Sequence, residues 1–92
     1  MLPSFSPGAR DRFRALAPAV RRSIGYDLEQ LEYEACYEDF DPLNFGVPLP
    51  GRPDVYVMRA SDDGSWRIYW QPLPLDPTPL SCAHVLFIDH VT

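Results

Sequence analysis

Lysine is absent from this sequence, so all eight basic residues are arginine. Its cationic chemistry therefore rests on forked guanidinium donors, which suit carboxylate and phosphate better than a point charge does. Long apolar runs are also missing, which excludes a membrane span from the expectations. The opening residues, MLPSFSPGAR, lack the charged and hydrophobic regions of a signal peptide, and a cytoplasmic protein is expected. Cysteine occurs only twice, at Cys36 and Cys82. The two can form one bridge, but without a secretion signal buried free thiols are expected. Neither cysteine has a close partner at the spacing of structural zinc, so no metal site is expected. A glycine-rich phosphate loop, a GxSxG elbow and a carboxylate pair of convincing geometry are missing too, and no cofactor is implied.

What is present supports one packed domain. Ninety-two residues suffice for a single core, and an apolar fraction of 46% with two tryptophans, five tyrosines and five phenylalanines supplies large burial per residue. The net charge of −5 argues against nonspecific nucleic-acid binding, but its distribution is uneven. Residues 1–24 hold five arginines and one aspartate, whereas residues 25–54 hold eight acids and Arg52 alone among basic residues. The chain has a basic beginning and an acidic middle.

Over residues 6–36 a helical hairpin is expected. Ser6 and Pro7 form a cap and a first helical position. Phe13 and Leu16 face inward, and Pro18 ends the first helix by disfavouring helical geometry at Ala17. In the second helix Val20, Ile24, Leu28, Leu31 and Ala35 share one face. Glu29, Glu32 and Glu34 near its end, with Glu38, Asp39 and Asp41 beyond, oppose the helix dipole. They are either indifferent surface or a docking patch for a basic segment, for which Glu32, Glu34, Glu38 and Asp39 are the candidates. Residues 41–53 are a Pro/Gly loop with a short edge strand at Val47 to Leu49.

The centre of the chain is DVYVMRASDDGSWRIYWQ, residues 54–71. Two runs rich in Val, Ile, Tyr and Trp flank Ser-Asp-Asp-Gly-Ser, the pattern of a β-hairpin. If Ala60 pairs with Trp66, Arg59 faces Arg67 and Val57 faces Tyr69 on one side, while Tyr56, Met58, Ile68 and Trp70 line the other. Two facing arginines repel, which fits a site that receives an anion; a solvated face neutralised by nearby acids is the competing reading. After the hairpin, PLPLDPTPL joins neither helix nor sheet interior, and residues 82–91 form the last strand. The expected fold is α+β, with the helical hairpin on one face of a small, mainly antiparallel sheet of three to four strands.

The arrangement x-Tyr-x-x-Arg, a short turn, then aromatic-Arg-Ile-Tyr resembles the central hairpin of the RelE/ParE superfamily of bacterial toxins. Leu49-Pro50-Gly51 is similar to the family's Leu-x-Gly before that hairpin. The resemblance implies the type II toxin of a toxin-antitoxin pair, held by a cognate antitoxin and cutting messenger RNA on the ribosome, alone or as a homodimer or heterocomplex. It places RNA phosphates on Arg67 and Arg59 with Tyr69 beside them, although Val57 stands where the family's ribonuclease has a further basic residue. For proton transfer the candidates are Asp89 and His90, similar to the residues that end several relatives, with His84 and Tyr69 as others. Adjacent strand residues face opposite ways, so only one of Asp89 and His90 can join the arginines. The alternative is a binding module without catalysis, either a ParE-like gyrase inhibitor or a degenerate relative that binds only its antitoxin.

Overall fold

The computed structural model describes residues 1–91. In chain order the elements are strand β1 (Ser4–Phe5), helix α1 (Pro7–Ala15), helix α2 (Pro18–Ala35), a 3-10 turn (Pro42–Phe45), and strands β2 (Val47–Leu49), β3 (Arg52–Ala60), β4 (Trp66–Pro72) and β5 (Ala83–His90). The strands form one sheet in the order β1-β5-β4-β3-β2. All pairings are antiparallel except β1 with β5. Five strands replace the expected three to four, because Ser4 and Phe5 pair in parallel with His84 and Val85 at the far edge. Two residues carry too little periodicity to be read as a strand, and the pairing exists only once β5 is in place.

Both helix starts follow from local chemistry. The Ser6 hydroxyl accepts from the Ala9 amide and donates to the Leu86 carbonyl, so the cap of α1 also ties that helix to the bulged part of β5. Helix α2 begins at Pro18 without a side-chain cap, its pre-set φ starting the helix instead. Of the expected stripe, Ile24, Leu28, Leu31 and Ala35 are buried and Val20 is half-buried. They meet Met58, Ala60, Ile68, Trp70, Ala83, Val85 and Ile88 from the sheet in one core. Trp70, wholly buried, donates its indole N–H to the Phe45 carbonyl and stacks on Tyr56, so its polar atom is satisfied.

Two glycines answer to steric demands. Gly46 has φ 147°, and a Cβ there would lie 2.6 Å from the Val57 carbonyl oxygen, so only glycine lets the chain pass this close to β3. Gly64, at φ 69°, closes the hairpin turn. In that turn the Asp63 carboxylate accepts from the Ser61 hydroxyl and the Ser65 amide. These bonds hold its pKa down at about 2, led by the bonds from Ser65 and Ser61. Asp27 on α2 accepts from the Ser61 amide and anchors the turn to the helix layer.

Cys36 at the end of α2 and Cys82 at the start of β5 are joined in a disulfide, which corrects the expectation of free thiols. They stand 46 positions apart in sequence, and only the docking of α2 on β5 brings their Cα atoms to 5.2 Å. No described helix is long and apolar enough to cross a membrane.

Candidate functional site

The hairpin adopts the expected register: Ala60 faces Trp66, Arg59 faces Arg67, Met58 faces Ile68, Val57 faces Tyr69 and Tyr56 faces Trp70. Strand β5 extends both outward rows, with Asp89 opposite Arg67 and Phe87 opposite Tyr69, while Val47 on β2 lies opposite Val57. The helices cover only the other side, so the outer face presents two adjacent bands. One is Val47, Val57, Tyr69 and Phe87, crossing four strands; the other is Arg59, Arg67 and Asp89. Val47 and Phe87 are 65% and 54% exposed, high values for large apolar residues within a sheet.

The charged band is not an empty anion cradle. Arg67 donates from Nε to Asp89 Oδ1 at 3.0 Å and from Nη2 to Oδ2 at 2.8 Å, a two-pronged ion pair across β4 and β5. The hydrogen bond to Asp89 is the leading cause that raises the Arg67 pKa, so the guanidinium stays charged. Its carbon also sits 5.9 Å from the centre of the Tyr69 ring, which in turn packs against Phe87. Arg59 donates instead to the Gly64 carbonyl at 2.8 Å, and among the described residues it has no ion-pair partner. Arg59 also lines a cleft of about 490 Å³, together with Asp27 and Gly46. Thus Asp89 divides the arginine pair: one cation is filled and the other remains available.

The proton-transfer candidates separate as the strand rule requires. Asp89 shares the outer face with both arginines. His90 lies opposite Trp66 on the other side, its ring edge-on to the indole at 4.9 Å between centroids, and Arg12 of α1 covers the same indole. His84 is tied up near the sheet edge, its Nδ1 2.8 Å from the Ser4 hydroxyl. Tyr69 belongs to the outer face.

The acidic patch is corrected at one position. Glu34, Glu38 and Asp39 are exposed, but Glu32 is 4% exposed and faces the sheet. Its Oε1 accepts from the Ser81 hydroxyl and the Ala83 amide, and its carboxylate also accepts from the Cys82 amide. The reason is position: Glu32 lies next to Leu31 and one turn after Leu28, at the edge of the apolar stripe, where β5 offers unpaired backbone N–H groups. The buried carboxylate satisfies them. Sequence reasoning missed this cluster, although Glu32 and Cys36 stand four apart on a helix and so share a face. Val47 and Phe87 were missed as well, and only the strand order makes them neighbours of Val57 and Tyr69.

Fold and face together define a small two-layer α+β domain with an uncovered, mixed aromatic and arginine sheet surface. Compared with known proteins, the chain matches no family model, no curated protein and no solved structure.

Proposed function

We propose that this protein is a RelE/ParE-like module that acts by binding rather than by cutting RNA, either on a target such as DNA gyrase or on a cognate antitoxin in the cytoplasm. One observation carries the choice: the fork of Arg67, the cation assigned to RNA phosphate, is filled by Asp89, and His90 lies on the opposite side of the sheet. Cleavage by 2′-hydroxyl attack needs an acid, a base and free cations converging on one phosphate. Here a paired arginine, a paired aspartate and a tyrosine share the face with Arg59, which among the described residues is held by a backbone carbonyl and no carboxylate. Such a surface is suited to docking: a band of apolar and aromatic side chains for burial, edged by cations that fix orientation. The acidic balance supports the same reading, since a ribosomal RNA target rewards net positive charge. The exposed acids Glu34, Glu38 and Asp39 complement a basic antitoxin segment on the helix side.

Induced expression in a bacterium tests this proposal, with message integrity followed by primer extension during arrested and active translation, and gyrase supercoiling measured with purified protein. Binding predicts intact messages in every case, with or without gyrase inhibition. Translation-dependent cleavage that disappears in Arg67→Ala would falsify it and restore the messenger-RNA-cutting toxin.

A further inference from the structure

Glu32, Cys36 and Cys82 each bring one donor atom into a group whose members all lie within 4.8 Å of one another. We propose that, once the disulfide is reduced, these three residues form a binding site for a thiophilic divalent cation of the zinc class. The inference stands on this cluster alone and not on the RelE/ParE reading.

The spacing that sequence reasoning sought in vain is supplied by the fold. Glu32 on α2 and Cys36 at that helix's C-cap lie one turn apart, and the docking of β5 brings Cys82, the residue before it, against them. Tetrahedral zinc, with bonds of about 2.3 Å to sulfur and about 2.1 Å to oxygen, spaces its donors by roughly 3.6–3.8 Å. Cleaving the S–S bond frees both cysteine side chains to turn about their Cα–Cβ bonds, from Cα atoms that lie 5.2 Å apart. Two thiolates and one carboxylate select zinc over magnesium or calcium, which prefer oxygen alone.

Three further features fit the assignment. Glu32 is oriented by the Ser81 hydroxyl and the amides of Cys82 and Ala83, the kind of outer support that fixes a ligating carboxylate. Its Oε2 lies 3.4 Å from Cys36 Sγ; a disulfide sulfur has no hydrogen to donate, so this is a contact that a shared cation would replace with two bonds. Cys36 is exposed and borders an open cavity of about 280 Å³, lined also by Met1, Glu29, Tyr33 and Tyr37. The cavity gives the ion an entry path and leaves a fourth position to water.

The chemistry balances with a phosphine as reductant. The phosphine loses two electrons and becomes its oxide, water supplying the oxygen and the two protons that convert the disulfide to two thiols. The cation then displaces those two protons as the thiolates bind it. In a reducing cytoplasm, thiol systems would perform the first step.

Cobalt titration of the anaerobic, phosphine-reduced full chain tests the site, with circular dichroism to follow folding. One cobalt per chain should bind with near-ultraviolet thiolate-to-cobalt absorption and visible bands of tetrahedral intensity, and zinc should displace it. The oxidised protein should show no such absorption. Cys36→Ser, at an exposed position, should remain folded and weaken binding by about 100-fold, and Glu32→Gln should weaken it by at least about 10-fold where it folds. Reduced, folded protein without the thiolate band overturns the proposal. So does binding by Cys36→Ser equal to wild type, or reduced protein that is unfolded and stays so with metal.

Discussion

Asp89 decides what the arginine band can do. Two arginines facing across a hairpin repel, and the sheet resolves that repulsion by placing a carboxylate on the next strand, where it takes both prongs of Arg67. The pair is partly open to water, with side chains 38% and 25% exposed, so its main effect is on the face's charge and not on stability. Asp89→Asn removes that neutralisation and leaves Arg59 and Arg67 together on one surface. Affinity for a single-stranded RNA oligonucleotide should then rise about tenfold at low salt, with a salt dependence steeper by roughly one counterion. Fluorescence anisotropy at two salt concentrations measures both. Equal binding by the variant and wild type would show that Asp89 does not screen the cations. Glu32 teaches the same lesson in the opposite direction. It resembles its acidic neighbours in sequence, yet its place beside the apolar stripe converts it from surface charge to a buried acceptor for β5.

At the scale of elements, the second helix and the hairpin behave as their periodicities require. The four-four-three-four spacing from Val20 to Ala35 places Ile24, Leu28 and Leu31 at the centre of the core, each fully buried. Replacing Ile24 or Leu28 by Ala should cost roughly 2–5 kcal/mol, the sum of lost transfer energy and a cavity that neighbours fill only in part. Urea denaturation checks this, and a loss below about 0.5 kcal/mol at both positions would mean that the helix does not pack as described. In the hairpin, the turn residues and the alternation of the flanking runs marked the two strands, and the facing pairs followed on the condition that Ala60 pairs with Trp66, which the sheet meets. The alternation is clean because one side is buried: a slip by one residue would send Met58, Ile68 and Trp70 to water. What the hairpin could not reveal was its neighbours. Phe87 and Asp89 arrive from a strand separated by the proline-rich connection, and β1 joins from the other end of the chain.

For the whole molecule, the disulfide links the two layers. It closes a loop of 46 residues, for which the chain-entropy relation gives about 4 kcal/mol at 25 °C, with typical measured gains of about 2–4 kcal/mol. Reduced, metal-free protein should therefore unfold at lower urea than oxidised protein by about that free energy, with β5 and α2 losing their mutual anchor. Denaturation of the two forms by tryptophan fluorescence measures the difference, and coincident curves would mean that the bridge adds nothing to the docking already made by Glu32 and the core.

The sequence by itself determined the α+β class, the two helices and their starts, the buried stripe, and the hairpin with its turn, while the register and the paired arginines followed on one condition, that Ala60 pairs with Trp66. Each rests on interactions between residues near in the chain, where spacing and turn chemistry are sufficient. Tertiary structure alone decided the fifth strand, the disulfide, the burial of Glu32 and the closing of Asp89 on Arg67. Each of these joins residues from distant parts of the chain: Ser4 with His84, Cys36 with Cys82, Glu32 with Ala83, Arg67 with Asp89. Such contacts form only when the sheet order brings β5 between β1 and β4 and beneath the end of α2, because hydrogen bonds, ion pairs and sulfur bonds act over a few ångströms and local pattern does not encode which distant segment will be near.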